Sequence, residues 1–336
     1  MTEARRASAA TVAAALAEAA ASAGYAPSVH NTQPWRWQVL PDRLHLWSER
    51  GRQLRATDPQ ARLLTISCGA ALQHARAALT AEGWQATVTR FPEAAEPDLL
   101  ATLTVTGRNA VTPDAIRLIQ ATQMRRSDRR PVGDTPVPPQ ALAAIRAAVV
   151  AERLDLHVLS PDQLGDLAAA AARARDVEAE DPAIVEELAY WTGRSPEGTG
   201  LPASVLPVAD PQTTVPGRNF GQPGTLPIGP GHDRAASYAV LFGQDDEPAS
   251  WLRAGEALSA AWLTATVHGV SLLPLSGAVE VPLTRAALRR LLAGIGQPYL
   301  VLRLGVADAD HAGPPHTPRM PAAQVVDTSA VRGKLP

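Results

Sequence analysis

The chain has 336 residues, of which 46% are hydrophobic, and its 31 basic and 33 acidic residues give a formal net charge of −2. This length accommodates one large or two ordinary domains with a substantial core. A nearly neutral chain has no electrostatic footprint for nucleic acid or an anionic membrane, so we expect neither partner. Cys68 is the single cysteine, which excludes an internal disulfide and a cysteine-rich metal site.

The N-terminal region predicts a helix over residues 8–23 that ends at Gly24. Its alanine-rich run is too short and too weakly apolar to cross a membrane, and it lacks the strongly apolar centre of a signal peptide. We therefore expect a cytoplasmic protein. After an irregular loop, Trp35 and Trp37 alternate with polar residues, which predicts the first strand of a hairpin.

A second helix is predicted over residues 62–82, and the later part of the chain repeats the plan of helix and strands. Gly69 and Gly255 lie 186 positions apart, as do Gly83 and Gly269 (255 − 69 and 269 − 83), which indicates a duplication. The other predicted elements are strands over 85–90, 99–106, 154–159 and 298–304, helices over 139–150, 163–192 and 252–267, and a helical insertion over 283–293.

Residues 193–250 fit neither repeat. They are rich in Pro, Gly and Thr and show little helical or strand periodicity. Loops of this length are usually lids, binding loops or mobile linkers. We predict a lid over a binding site, with a surface excursion as the alternative.

Residues 27–35 read Pro-Ser-Val-His-Asn-Thr-Gln-Pro-Trp. Two prolines stiffen this loop, so Ser28 and Asn31 are presented with little ordering cost. The side chain of Asn31 offers both a donor and an acceptor, which suits a ligand edge of mixed polarity. His30 is either a polar neighbour of the site or an ordinary loop residue.

Residues 125–129 read Arg-Arg-Ser-Asp-Arg. In an extended segment alternate residues share a face, so Arg125, Ser127 and Arg129 point together. Two guanidinium groups and a hydroxyl can bind a phosphate dianion through charge-assisted hydrogen bonds. The alternative interpretation is a solvated, charged surface.

These two motifs resemble the FMN site of the nitroreductase superfamily, but in swapped order. In ordinary members an Arg-x-Ser segment near the N-terminus holds the FMN phosphate, and an Asn-x-Gln-Pro-Trp loop follows. Each flavin there lies at the interface of a homodimer and contacts both subunits. A single chain with the loop first therefore resembles a fused pseudo-dimer, and it is most similar to the Acg family of FMN-binding nitroreductase-like proteins.

The resemblance implies an α+β, nitroreductase-like fold built from two tandem half-repeats. The first half is residues 1–110, and the second is residues 111–336 with the lid at 193–250. A Pro-Leu-Ser-Gly run at 274–277 resembles the turn that brings a backbone amide to flavin N5, and Arg319 matches the position of a last cationic phosphate ligand. The implied flavin contacts are Pro27, Ser28, Val29, Asn31, Gln33, Arg125, Arg126, Ser127, Arg129, Ser276, Gly277 and Arg319.

The function implied is that of a redox flavoprotein with one FMN per monomeric chain, reduced by NAD(P)H or another small electron donor. No protein acid or base is evident. The alternatives are a protein that sequesters or stores FMN with little turnover, and a degenerate, empty site. A zinc site and a nucleotide-phosphate loop are not expected, because neither histidine pairs nor a Gly-x-x-x-x-Gly-Lys run occurs.

Overall fold

A computed structural model describes residues 3–193, 198–229, 232–306 and 313–331, with side chains from Thr11 onward. The fold class is α+β, as predicted. The N-terminal part consists of α1 (Glu3–Ser22), β1 (Trp35–Val39), β2 (Arg43–Ser48), α2 (Arg62–Ala81), β3 (Trp84–Arg90), β4 (Leu99–Arg108) and α3 (Pro113–Met124).

The second part begins with α4 (Pro139–Ala151), β5 (Asp155–Val158), α5 (Leu164–Glu180), α6 (Pro182–Trp191) and β6 (Ser237–Gly243). It continues with α7 (Pro248–Val267), β7 (Val270–Leu275), α8 (Gly277–Glu280), α9 (Pro282–Leu291) and β8 (Gln297–Val306). Last come the short α10 (Ala322–Val325) and β9 (Val326–Asp327).

The two sheets share one strand order. The first runs β3-β4-β2-β1 and the second β7-β8-β6-β5, with every neighbouring pair in these runs antiparallel. The C-terminal β9 then adds to the first sheet, where Val326 pairs in parallel with Trp37 of β1. The end of the chain thus returns to complete a sheet begun at its start.

Each sheet packs on one long helix, and these two helices pack on each other. Helix α2 shares a core with β1, β2 and β4, whereas most of α7 belongs to the core around β6 and β8. Both helices have 20 residues, start 186 positions apart (248 − 62), and are followed by a left-handed glycine, Gly83 at φ 76° and Gly269 at φ 68°. In the described ranges, no helix has the length and apolarity needed to cross a membrane.

Part of the lid prediction is wrong. Residues 237–243 form β6, a buried strand between β5 and β8, and α7 already starts at Pro248. Strand β6 is covered on both faces, so its sequence is a continuous apolar run without the alternation that marks a half-exposed strand. Sequence reasoning also missed α3 and β7. The predicted lid positions 194–197 and 230–231 lie outside the described residues.

Candidate functional site

A cavity of about 430 Å³ lies where loop 27–31, segment 125–129, the β7–α8 turn and residues 201–223 meet. Its apolar middle includes Leu63 and Ile66 of α2 and Trp262 of α7. Ten of the twelve predicted site residues line it: Pro27, Ser28, Val29, Asn31, Arg125, Ser127, Arg129, Ser276, Gly277 and Arg319.

The loop at residues 27–35 holds an unusual backbone. His30, Asn31 and Gln33 have φ values of 44°, 56° and 48°, a left-handed conformation that side chains with a Cβ rarely adopt. Hydroxyl groups hold the loop: the Gln33 amide donates to Ser28 Oγ at 2.9 Å, and the Val29 amide donates to Ser67 Oγ of α2 at 3.1 Å. Such a cluster of unfavourable φ values is typical of a functional loop held by its surroundings.

The side chain of Asn31 is already bound within the protein. Its Nδ2 donates to the carbonyl oxygens of Gly200 and Pro318, each at 3.0 Å, and its Oδ1 accepts from Arg319 at 3.2 Å. The expectation that both polar atoms are presented to a ligand edge is therefore not met in this conformation. Asn31 instead joins three separate segments at the cavity wall.

One end of the cavity is strongly cationic. Arg125 is only 4% exposed and stacks on Trp262, with its Cζ 4.4 Å from the ring centroid. Neither Arg125 nor Arg129 nor Arg319 forms a salt bridge within the described residues. Among the residues that the structure describes, the buried Nε and Nη1 of Arg125 and Nε of Arg319 also have no hydrogen-bond partner.

Burial of these guanidinium groups destabilises their charged form. It lowers the pKa of Arg125 to about 9, with the neighbouring charge of Arg319 as a second cause. Burial likewise lowers the pKa of Arg129 and Arg319 to about 10. Buried cations and donors without partners are costly, so this end of the cavity is chemically complementary to an anion.

The β7–α8 turn forms another part of the cavity wall. A Cβ atom on Gly277 would lie 3.1 Å from Glu178 Oε1 of α5 and 3.6 Å from Arg218 Nη2. Arg218 donates to Glu178 at 3.0 Å and also to Glu280 of α8. Sequence reasoning missed this ion cluster, since its members are scattered over α5, the long loop and α8 and form no motif.

Gln33 and Arg126 do not line the cavity. Gln33 is 1% exposed, donates to Gly198 O at 2.8 Å and accepts from the Met320 amide at 3.0 Å, so it ties loop 27–35 to both later segments. Arg126 points the opposite way from its neighbour and donates to Pro314 O at 2.9 Å. This follows from the extended backbone, whose alternate side chains take opposite faces.

Arg303 holds the arginine-rich segment in place. It donates to the carbonyl oxygens of Asp128 and Arg130, each at 2.8 Å, and pairs at 3.0 Å with Asp233, a carboxylate with no exposed side-chain surface. The Asp233 carboxylate also accepts from the Val132 amide at 2.7 Å. A signal was present in the sequence, because Arg303 is a lone charge in the apolar strand 297–306.

The described part of the predicted lid does form a wall of the cavity. It packs a small core of Leu201, Val205 and Leu206, with Phe220 against it. The Phe220 ring lies 5.3 Å from Cζ of Arg129 and meets the His30 ring edge-on at 5.8 Å. Burial and the charges of Arg218 and Arg129 lower the pKa of His30, so this imidazole is neutral.

Comparison with known proteins identifies the class of this fold and site. No family model matches the chain. The Mycobacterium tuberculosis protein named "Putative NAD(P)H nitroreductase Rv3131" is 40% identical over 308 residues, covering 90% of this chain and 88% of the relative. A second protein of that species, "Putative NAD(P)H nitroreductase acg", is 33% identical over 308 residues, covering 91% and 93%.

The chain therefore belongs to the nitroreductase-like family that contains Acg and Rv3131, and the predicted family is confirmed. Among solved structures, the FMN and NADPH-dependent nitroreductase NfnB from Sphigopyxis sp. strain HMH is 19% identical, with a TM-score of 0.39. That match covers 62% of this chain and 97% of NfnB. Family membership rests on the sequence relatives alone.

Proposed function

We propose that this chain is an FMN-dependent, nitroreductase-like oxidoreductase that binds one flavin in the 430 Å³ cavity and takes electrons from NAD(P)H. The observation that carries this proposal is that three arginines of the cavity wall, Arg125, Arg129 and Arg319, have no salt-bridge partner in the described part of the chain. The Mycobacterium tuberculosis relatives are named as NAD(P)H nitroreductases, which supports the nicotinamide donor.

The arginine end suits the FMN phosphate. Arg125, Arg129 and Arg319 present fixed N–H groups, and Ser127 adds a hydroxyl on the same wall. A phosphate dianion would supply the acceptors that Nε and Nη1 of Arg125 lack. Arg303, through the carbonyl groups it holds, keeps this segment in position.

The apolar surface and the β7–α8 turn suit the ring. Leu63, Ile66 and Trp262 offer an apolar surface, and the Ser276–Gly277 turn lets the backbone approach closely because Gly277 has no Cβ. When bound, FMN supplies hydride-transfer chemistry, and the protein contributes orientation and electrostatics. Loop 27–31 and residues 201–223 cover the site, so they exclude water from it.

Charged side chains at the positions related by the repeat disfavour a second, symmetric flavin site. The 186-residue repeat relates Trp262 and Ser276 of the cavity to Arg76 and Arg90 (262 − 76 and 276 − 90). Arg76 and Arg90 both pair with Glu256, at 2.9 and 2.7 Å, and this carboxylate has no exposed side-chain surface. This arrangement supports one FMN per chain.

We also propose an intramolecular pseudo-dimer made of residues 1–110 and 111–336, in a monomeric protein that we expect to be cytoplasmic. The matching strand orders, the paired helices α2 and α7, and the return of β9 to the first sheet all favour it. Sedimentation equilibrium of the purified chain tests the monomer. A stable dimer would contradict it.

The test of the main proposal is anaerobic. Protein loaded with FMN is mixed with NADPH or NADH, and the flavin absorbance is followed. We expect about one FMN per polypeptide and bleaching on addition of the nicotinamide, followed by reoxidation with a nitroaromatic acceptor. A chain that retains no FMN, or retains two, contradicts the proposal.

FMN sequestration is the second candidate. The wall formed by residues 201–223 favours it, because a covered ring is hard for a nicotinamide to reach. Slow reduction by NADPH but rapid reduction by dithionite would support sequestration. Rapid reduction by both donors would support the oxidoreductase.

A further inference from the structure

The wall over the cavity is tied to helix α5 by two ion pairs of different character. Asp210 pairs with Arg175 at 2.9 Å, with 54% and 26% of these side chains exposed. Arg218 pairs with Glu178 at 3.0 Å, with only 7% and 6% exposed. Exposed ion pairs contribute little to the free energy of folding, whereas breaking a buried pair leaves an uncompensated charge.

Arg218 also connects the wall to a second element. Its Nη2 donates to Glu280 of α8, whose side chain is 4% exposed, so one nitrogen links the loop, α5 and α8. The turn that starts α8 holds Gly277, beside which this cluster lies. The Arg218 contacts therefore fasten the wall beside the turn at Gly277.

Phe220 lies close to these contacts and also packs against the small core of Leu201, Val205 and Leu206. This residue follows Arg218 by two positions, and its ring lies 5.3 Å from the Arg129 guanidinium and 5.8 Å from the His30 ring. Besides these two ring contacts, the Phe220 carbonyl accepts a weak bond from Thr192 at 3.4 Å. Displacement of Arg218 would thus uncover Arg129 as well as the turn at Gly277.

We propose that Arg218 is the positioning residue of this site: its buried contacts with Glu178 and Glu280 hold residues 207–224 closed, with Phe220 over Arg129. The inference rests on the proposed function only in naming the enclosed ligand as FMN. The closed wall slows entry and release of FMN.

The first experiment uses the FMN-free protein, so it does not depend on cofactor binding. Amide hydrogen exchange is measured in the wild type, in Arg218→Gln and in Arg175→Gln, which removes the exposed tether between the same two elements. We expect exchange across residues 207–224 to accelerate by about tenfold or more in Arg218→Gln, since local opening controls exchange there. Arg175→Gln should match the wild type.

A second measurement follows FMN release from loaded protein after dilution into a flavin scavenger. Arg218→Gln should release FMN about tenfold faster, because such contacts act mainly on the dissociation rate. Glu280→Gln, which keeps an acceptor but loses charge, should give an intermediate effect, and Arg218→Lys should partly rescue closure. If Arg218→Gln does not fold, Glu280→Gln and Arg218→Lys decide the question by the same readouts.

Two results would overturn the inference: equal exchange of residues 207–224 in the wild type and the Arg218 variants, or acceleration spread evenly over the whole chain. The second would make Arg218 an ordinary core residue. Failure of FMN to bind any of these proteins would contradict the proposed function and leave the exchange comparison intact.

Discussion

Gly69 and Gly255 touch where α2 and α7 cross. A Cβ atom on Gly69 would lie 2.0 Å from Leu252 O and 2.9 Å from Gly255 Cα. A Cβ on Gly255 would lie 1.9 Å from Ile66 O and 2.8 Å from Gly69 Cα. The contacts are reciprocal, because Leu252 follows Ile66 by the same 186 positions that separate the glycines (252 − 66 and 255 − 69). Only residues without a Cβ allow this approach.

Alanine at Gly69 or Gly255 should therefore force the two central helices apart. We expect each substitution to lower the free energy of unfolding by about 1–3 kcal/mol or more, the range of overpacked cores. Gly165→Ala is the matched control, since a Cβ there meets nothing within 4 Å in helix α5. It should instead gain roughly 0.5–1 kcal/mol from helix propensity. Urea unfolding measures all three variants, and unchanged midpoints for the first two would refute the close crossing.

Arg125→Met should separate stability from cofactor binding. Arg125 is a buried cation without a salt bridge, so an apolar side chain of similar length should leave the FMN-free protein equally stable or more stable. The same change should weaken FMN binding by roughly 10-fold to 100-fold, as expected for a charge-assisted bond worth about 1.5–3 kcal/mol.

Arg126→Met is the control for that experiment, because Arg126 faces Pro314 and not the cavity. Thermal melts without FMN and fluorescence titrations with FMN give the two quantities. If Arg126→Met weakens FMN binding as much as Arg125→Met, the side of the segment that holds the phosphate has been misassigned.

The sequence predicted those parts of the site that lie in continuous motifs. Loop 27–31 and segment 125–129 reach the same cavity as expected, because proline stiffening and strand alternation are local properties. The contacts of Asn31 were less predictable. Its side-chain amide donates to the carbonyl oxygens of Gly200 and Pro318, which only the tertiary fold brings near.

The ion cluster around Arg218 could not be predicted, since its carboxylates lie 40 and 62 positions away in sequence. Strand β6 was missed for a different reason. Its apolar run lies inside a stretch rich in Pro and Gly, and full burial removes the alternation by which strands are recognised. The duplication was more visible, because the crossing glycines and the left-handed glycines both recur at one spacing.

Glu178 should make stability depend on pH. Burial raises the pKa of its carboxyl from 4.5 to about 7, against a lowering by Arg218 and a further increase from Glu280. Because the pKa of Glu178 is higher in the folded than in the unfolded state, its protonation stabilises the folded protein. This stabilisation is fully present below pH 4.5 and is lost as the pH rises through 7. Glu178→Gln, which stays neutral, should therefore become more stable relative to the wild type between pH 5 and pH 8.

Urea unfolding of both proteins at the two pH values tests this. Burial also raises the pKa of Asp58 to about 7. The contribution of Asp58 is the same in both proteins, so it cancels in the difference between their free energies of unfolding. A difference that stays constant over this range would show that Glu178 keeps its ordinary ionisation.

Glu256 should stabilise the packing of α7 against α2 and β3 but should not be needed for FMN binding. Its carboxylate accepts bonds from Arg76 of α2 and Arg90 of β3, and Arg76 also pairs with Glu152 after α4 at 2.8 Å. Glu256→Ala removes a fully buried acceptor and leaves Arg90 without this carboxylate while Arg76 keeps Glu152, so we expect a loss of about 1–3 kcal/mol in the free energy of unfolding. Asp42→Ala, which breaks the exposed pair with Arg43, should change the free energy of unfolding by at most about 1 kcal/mol.

The folded Glu256→Ala protein should still bind one FMN, since Glu256 is not among the residues that line the cavity. Denaturant unfolding gives the stability and native mass spectrometry the stoichiometry. A second bound FMN in Glu256→Ala would show that the ion network alone closes the symmetric site, whereas loss of the first would show that the network supports the cavity itself.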